Sequence, residues 1–218
     1  MKTNMIKLIV SGFFLTAVLT ACEINSGSGN VVTETRTVSG FDGVTVNSAG
    51  NVLVDQTGTE SLTITTDDNL LQYITTEVRG GKLIVEYKPG LIFDRVKELT
   101  FNIGAKNLNS IETDGAANVQ GKNIATEKLS VKLNGASAIT LSGTATEQDV
   151  VLDGAGAYNG AELASQRAQV TDNGMGAAVV RVSDKLDANV NGLGRIEYIG
   201  NPQVTKSVSG PGTVQQRP

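Results

Sequence analysis

Apolar and polar residues alternate along most of the chain from residue 31 onward, in short runs bounded by Gly, Asn, Asp or Thr. In the clearest runs every second residue is Val, Ile, Leu, Phe or Tyr: 44–46, 52–54, 62–64, 83–87 and 99–103. A period of two predicts β-strands with one buried face and one solvent-exposed face. Because no long segment carries a 3.6-residue apolar stripe, we expect an all-β fold with very little helix.

A turn signal recurs through the second half of the chain. Asp, Asn or Ser is followed by Gly six times, with glycine spacings of 20, 19, 20, 18 and 18 residues: Asp114-Gly115, Asn134-Gly135, Asp153-Gly154, Asn173-Gly174, Asn191-Gly192 and Ser209-Gly210. A second small residue stands two positions after each glycine, and an apolar residue or Tyr two positions after that. Six copies of one register indicate a repeated structural unit.

A period near 20 combined with strand-type alternation predicts stacked β-coils. One coil cannot bury its own apolar face, whereas stacked coils bury Val, Ile and Leu in layers about 4.8 Å apart. We therefore predict a parallel β-helix, or β-solenoid, of about 18–20 residues per coil. Its corner glycines would supply a positive φ or space that a Cβ would fill. The alternative is an antiparallel sandwich of hairpins, in which turn signals usually recur every 8 to 12 residues.

The first 21 residues have the order of a lipoprotein signal peptide. Lys2 and Lys7 precede an apolar run of 12 residues, which is too short to span a bilayer as a helix, and Leu19-Thr20-Ala21-Cys22 follows. This ending resembles the lipobox of bacterial lipoproteins, which implies that Cys22 is acylated and becomes the first mature residue. We expect a lipid anchor in the outer membrane, a flexible tether over residues 22–30 and one β-helix domain over residues 31–218.

The order of strands and turns resembles a known family. The segment Phe41-Asp-Gly-Val-Thr-Val46 is followed by the runs 52–54, 62–64, 70–74 and 81–85, and then by the coils that carry the Asp/Asn-Gly turns. Over roughly residues 38–215 this order resembles the head GIN domain family of bacterial envelope adhesins. The resemblance implies a right-handed parallel β-helix, similar in shape to pectin lyases but without their catalytic residues. It implies adhesion as the role and identifies no functional residues.

The composition removes most catalytic chemistry. The chain has no histidine, and Cys22 is its single cysteine, so the usual general base, zinc ligands and thiol nucleophile are missing. The acids Asp114 and Asp153 would stand two coils apart, about 10 Å, which is at the long edge for an inverting glycosidase pair. A carbohydrate-active enzyme would need a groove with clustered acids and a base such as Lys132 or Arg181. We expect no enzyme and no cofactor.

The turn residues also offer oxygen ligands for a cation. Asp114, Asn134, Asp153 and Asn173 would form one column, but the repeat lacks the Gly-Gly-x-Gly-x-Asp nonapeptide of calcium-loaded β-rolls. A ladder of hydrogen-bonded Asn side chains is the simpler expectation, and we predict no metal site. Removal of residues 1–21 leaves 16 basic against 22 acidic residues, a balance that argues against a nucleic-acid partner.

Two features are candidates for contact with a partner. Threonines such as Thr63 and Thr140 would make a hydroxyl-rich outward face that could bind a glycan or a protein. The segment 88–95 interrupts the alternation and could protrude toward a partner or fold over the solenoid. The sequence thus predicts an envelope-anchored, non-enzymatic lipoprotein that presents a β-solenoid surface for adhesion or scaffolding. The alternative is a carbohydrate-binding or carbohydrate-active β-helix protein.

Overall fold

The computed structural model describes residues 23–218, which form seventeen β-strands and one short 3-10 turn, Leu71–Tyr73. The strands are β1 Glu23–Ser26, β2 Val31–Arg36, β3 Gly43–Asn47, β4 Ala49–Asp55, β5 Ser61–Asp67, β6 Ile74–Arg79, β7 Lys82–Tyr87, β8 Leu91–Asp94, β9 Leu99–Gly104, β10 Ser110–Thr113, β11 Ala116–Leu133, β12 Ala138–Leu152, β13 Ala157–Asp172, β14 Ala177–Val190, β15 Arg195–Ile199, β16 Gln203–Val208 and β17 Thr213–Gln216. The predicted signal peptide, residues 1–21, and the predicted lipidation site Cys22 lie outside this range.

The coils stack in parallel, as the 18–20 residue repeat predicts. Strands β11 to β14 are long and bent, and each pairs in parallel with the next over most of its length. Equivalent repeat positions face each other: Val119 pairs with Ile139, and Val131 with Val150. The protein is therefore a β-solenoid of about five turns, and the predicted parallel β-helix is confirmed.

The strands build two long faces. Face A has the order β2-β5-β9-β4 and continues through the first parts of β11 to β14 into β15 and β17. Face B has the order β6-β7-β3-β10 and continues through the last parts of β11 to β14 into β16. The turns at Asp/Asn/Ser-Gly connect face B to face A, so they stack along one edge of the solenoid.

The N-terminal part departs from uniform parallel pairing. Strand β5 pairs antiparallel with both β2 and β9, and β6 pairs antiparallel with β7. The β6–β7 connection is Gly80-Gly81, with φ of +57° and +78° at the two glycines, as a tight hairpin turn requires. The solenoid therefore begins with hairpin-like additions to each face before the regular coils take over.

The structure also differs from the expected flexible tether. Strand β1 pairs in parallel with β8, with Glu23 opposite Leu91 and Asn25 opposite Phe93. Residues 28–30 are then bound by side chains and backbone of residues 67–69. Apart from Ile24, residues 23–30 are mostly small and polar, but these hydrogen bonds replace their contacts with water and hold them against the fold.

The interior is a set of aliphatic columns with a few polar positions. Val46, Leu133, Leu152 and Val190 are fully buried members of one column, which also contains the buried polar residues Thr113 and Asp172. Tyr158 is the largest fully buried side chain, and its hydroxyl donates to Gln148 Oε1 at 2.7 Å. Burial raises the pKa of Tyr158. Its place in the core agrees with the repeat register.

Candidate functional site

The six predicted turn pairs lie where strands break at one edge of the solenoid. Asn173 Nδ2 donates to Asp153 Oδ1 at 2.7 Å, and Asn191 Nδ2 donates to Asn173 Oδ1 at 2.8 Å. Three consecutive turns therefore carry the expected side-chain ladder. Asp114, Asn134 and Ser209 continue the column without joining this ladder.

The turn glycines are needed for close packing between coils. At four of the six turns the residue after the glycine donates its backbone N–H to the glycine carbonyl of the preceding coil: Ala136 to Gly115, Ala155 to Gly135, Met175 to Gly154 and Leu193 to Gly174. A Cβ on Gly135, Gly154, Gly174 or Gly192 would lie inside van der Waals contact with that same carbonyl. Of the six, only Gly210 has a positive φ, +119°. The missing Cβ, and not a left-handed backbone, is the general requirement.

The column does not offer a ready cation site. The Asn173 amide already occupies the facing oxygen of Asp153, so a cation would have to displace that hydrogen bond. Within residues 23–218 no three His, Cys, Asp or Glu side chains come close enough to share a metal ion.

The candidates for sugar cleavage are separated by the fold. Lys132 lies on face B, opposite Glu112 and Val151, whereas Arg181 lies on face A and donates its Nε to the Ala161 carbonyl at 2.6 Å. Asp114 and Asp153 lie at the turn edge, with the Asn134 turn between them. No groove among the described residues unites these four side chains.

Charged side chains of both signs cluster near the centre of face B. Its small groove, about 200 Å³, is lined by Lys128, Glu147, Asp149, Arg167, Lys185 and Asp187. Arg167 contacts Glu147 through Nε at 2.9 Å and Nη2 at 2.6 Å, and these bonds lower the pKa of Glu147. A general acid for glycoside cleavage needs a raised pKa. Glu147 therefore has the wrong protonation state for that role.

Face A, in contrast, presents neutral hydrogen-bonding side chains in two rows across adjacent strands. The first row is Thr33, Thr65, Thr100, Asn51 and Asn118. The second row is Thr35, Thr63, Asn102, Gln120, Thr140 and Asn159, and the apolar Leu53 interrupts it between Asn102 and Gln120. Neighbours within a row are about 4.8 Å apart, and the rows are separated by about 7 Å along the strands. We call these twelve residues the polar face.

The second row passes through a groove of about 560 Å³. Thr63, Asn102, Gln120 and Thr140 line it, and Leu53, 37% exposed, is its apolar contact. At its margin the hydrogen bonds from Asn123 and then from Lys122 lower the pKa of Asp55, and Lys122 Nζ lies 3.1 Å from Asp55 Oδ2. The charges of this pair neutralise each other beside the groove.

Sequence reasoning found only part of this surface. It identified Thr63 and Thr140 but missed Asn102, Gln120 and Leu53. Strand β9 lies between β4 and β5 in the sheet although it follows them in the chain. The outward positions of each strand could be read from the alternation, but the order of these strands could not.

Segment 88–95, which was expected either to protrude or to fold over the solenoid, folds against it. It forms a turn and strand β8. The centroid of the Phe93 ring lies 4.3 Å from that of the Tyr87 ring and 6.3 Å from that of the Tyr73 ring. Burial raises the pKa of Tyr87 to about 12, while its hydroxyl donates to the Ala49 carbonyl at 2.8 Å. We call the paired strands β1 and β8 the N-terminal ribbon.

Solved structures with the same fold come from Bacteroides and Parabacteroides species. A "putative adhesin" from Bacteroides fragilis aligns with a TM-score of 0.73 and 22% identity, over 88% of this chain and 100% of that one. A "putative lipid binding protein" from Parabacteroides distasonis aligns with a TM-score of 0.60 and 22% identity, over 90% and 100%. At these identities the likeness shows the fold alone.

Other comparisons bear on family and membrane topology. No curated protein matches the chain. None of the helical segments within residues 23–218 is both long enough and apolar enough to cross a membrane. The family described as "putative auto-transporter adhesin, head GIN domain" matches residues 40–202, three quarters of the sequence. The predicted resemblance is thereby confirmed, and the chain belongs to the head GIN domain family of adhesin-like proteins.

Proposed function

We propose that this protein is a non-enzymatic adhesin of the cell envelope, anchored by acylated Cys22, which binds neutral glycan chains through the polar face. The observation that carries the proposal is the pair of neutral Thr, Asn and Gln rows running through the groove on face A. Hydroxyl and amide groups offer both donors and acceptors, as a neutral sugar polymer requires. A charged ligand would find no free counter-charge there.

The spacing of the rows favours an extended ligand over a small one. Side chains repeat every 4.8 Å or so across many strands, so a polymer can make the same kind of contact several times. Each hydrogen bond contributes only about 1 kcal/mol, and the groove has no aromatic platform among its lining residues. Useful adhesion would therefore come from many weak contacts by many anchored copies.

Two other observations support a binding role without catalysis. The chain lacks histidine, and the acids of the face B groove are paired with Arg or lie among lysines. One structural relative is described as lipid-binding; in this chain we assign lipid contact to the anchor at Cys22 and not to the polar face. Family membership supports adhesion as the general role.

The polar face is tested by removing three of its hydrogen-bonding groups. We expect the Asn102→Ala, Gln120→Ala, Thr140→Ala triple variant to lose at least about tenfold in affinity for glycans captured by the wild type, because each side chain contributes about 1 kcal/mol. Glycan arrays and attachment assays with immobilised polysaccharides measure the change. Mass spectrometry of the mature N-terminus tests acylation of Cys22 separately.

A matched control uses equivalent residues on face B. Gln169, Thr171 and Asn189 are outward and neutral on β13 and β14, where Thr171 pairs with Asn189. Their triple alanine variant should bind as the wild type does. Equal loss in both variants, or full binding by the face A variant, would contradict the assignment of the ligand to the polar face.

A further inference from the structure

The N-terminal ribbon exposes two large apolar side chains side by side. Ile24 and Ile92 are register partners in the parallel β1–β8 pair, so their side chains project from the same face. They are 66% and 50% exposed. Ile92 also lines a groove of about 560 Å³, whose other lining residues include the apolar Leu91, Phe93, Val96 and Leu99 and the polar Asn51, Lys97 and Glu98.

The ribbon begins directly after the proposed lipid anchor. Cys22 is covalently followed by Glu23, the first residue of β1, and consecutive Cα atoms are only about 3.8 Å apart. The chain therefore has no linker between an acylated Cys22 and the folded ribbon. If the acyl chains lie in a bilayer, the start of β1 must lie at the bilayer surface.

The ribbon is also fixed firmly to the solenoid. Asp67 Oδ1 accepts the Gly29 N–H at 2.6 Å, and Asn69 Nδ2 donates to the Ser26 carbonyl at 2.8 Å. On the other strand, Phe93 packs against Tyr87. The orientation of the ribbon therefore sets the orientation of the whole solenoid.

We propose that the N-terminal ribbon is a membrane-docking surface, with Ile24 and Ile92 inserted into the interfacial region of a lipid bilayer. This inference rests on the proposed anchor at Cys22. Exposed apolar side chains next to a lipid anchor gain free energy by leaving water, and a second membrane contact strengthens a lipid anchor. Arg95, exposed directly after β8, can approach lipid phosphates, although Asp94 offsets part of that charge.

Docking gives the solenoid a defined orientation relative to the membrane. A flexible tether would let the solenoid point in any direction, whereas a docked ribbon holds face A at a fixed angle to the bilayer. The polar faces of neighbouring copies would then be presented in the same way to an extended ligand.

The proposal is tested with a single fluorescent reporter. The sequence contains no Trp, so Ile92→Trp places the only indole at the docking surface. The acylated full-length variant is reconstituted in vesicles of phosphatidylethanolamine and phosphatidylglycerol, with and without brominated acyl chains. We expect emission to shift to shorter wavelength and to be quenched by the brominated lipid. Ile24→Trp repeats the test from the paired strand.

The control reporter is Val208→Trp at the other end of the stack. Val208 is 43% exposed. Six strand pairings separate it from Val46 in β3, a strand at the N-terminal end of the stack, which corresponds to a distance of about 29 Å. Its emission should be unaffected by brominated lipid. Thermal melting shows whether each variant is folded.

Vesicle flotation separates failure of docking from failure of the anchor. If the proteins float with vesicles but Ile92→Trp and Ile24→Trp stay as accessible to aqueous acrylamide as Val208→Trp, docking is overturned and the anchor stands. If the acylated protein does not float, both the anchor and the docking surface are overturned.

Discussion

At each regular turn, a glycine Cα rests on the backbone of the coil below it. Hydrogen bonds of 2.9 to 3.2 Å from the following N–H to the glycine carbonyl below hold four such contacts. The rise between coils is fixed by the strand spacing, so the turn cannot move outward to admit a side chain. The repeat of glycine is thus a consequence of stacking.

Gly154→Ala tests this requirement in the middle of the stack. The added Cβ would press on the Gly135 carbonyl, and we expect a loss of about 1–3 kcal/mol in the free energy of unfolding, typical of overpacking. Urea unfolding followed by circular dichroism measures it. The neighbouring exposed Ala155→Ser should change stability by less than about 0.5 kcal/mol. If Gly154→Ala unfolds at the same urea concentration as the wild type, the coils can move apart at low cost in free energy.

One buried residue shows what the repeat pattern cannot specify. Asp172 occupies the aliphatic column between Leu152 and Val190 and is fully buried, with Oδ1 accepting the Gly174 N–H at 2.8 Å. A Cβ on Gly194 would collide with its carboxylate. The register predicts an apolar residue at this position. Gly194 in the next coil leaves room for this carboxylate, a contact that is visible in three dimensions alone.

Among the elements, the N-terminal segment depends on Asp67. This buried carboxylate accepts N–H bonds from Gly29 at 2.6 Å and Lys97 at 2.9 Å, which join residues near β1 to the start of β9. Burial alone would raise the pKa of Asp67, but the backbone N–H groups of Lys97, Gly29 and Glu98 outweigh burial and hold its pKa below the ordinary value. The charged form is therefore the one that stabilises the fold.

The contribution of Asp67 should depend on pH. Because its folded-state pKa is lowered, its stabilisation is complete above the ordinary Asp pKa of about 3.9 and is lost as the pH falls toward the lowered value. We expect Asp67→Asn to lower stability by about 1–3 kcal/mol at neutral pH, since a buried N–H loses its charged acceptor, and to match the wild type at the acid end. Thermal unfolding across pH measures the difference.

Asp68→Asn is the matched control for that series. Asp68 is exposed, although it accepts hydrogen bonds from Ser28 and Asn30 at 2.6 and 2.8 Å. Its replacement should have a much smaller effect at neutral pH. A difference between Asp67→Asn and the wild type that stays constant down to low pH would contradict the charged-acceptor explanation.

The elements that sequence predicted best are those governed by the repeat. Turns at Asn134-Gly135 and Asp153-Gly154 fix the register of β11 to β14, so local pattern and tertiary pairing agree. The segment 31–104 has strands of the same alternation but no common turn, and alternation alone does not distinguish parallel from antiparallel partners. The flexible tether was expected because residues 23–30 are small and polar, a composition that does not reveal acceptors such as Asp67.

At the scale of the whole molecule, the two faces differ in charge, and the two ends of the described stack differ in how far further strands cover them. The polar face is neutral, whereas face B carries the Glu147–Arg167 and Lys82–Glu112 pairs. Hairpin strands extend the N-terminal end of both faces. At the other end, β16 and β17 form the last described coil, and Val208 is 43% exposed where Val190, one coil earlier, is fully buried.

This difference in exposure predicts that the described stack opens first at strand β16. Among the described residues β16 pairs with β14 on one side alone, whereas an interior strand such as β13 pairs on both sides, so local opening of β16 costs less free energy. Hydrogen exchange measured by mass spectrometry should show that the amides of residues 203–208 exchange at least about tenfold faster than their register partners in 185–190. A difference of about 1.4 kcal/mol in the free energy of local opening corresponds to that factor. Residues 128–133, well inside the stack, provide the protected reference. Equal exchange in all three segments would mean that the coils unfold as one cooperative unit and that the exposed end confers no local weakness.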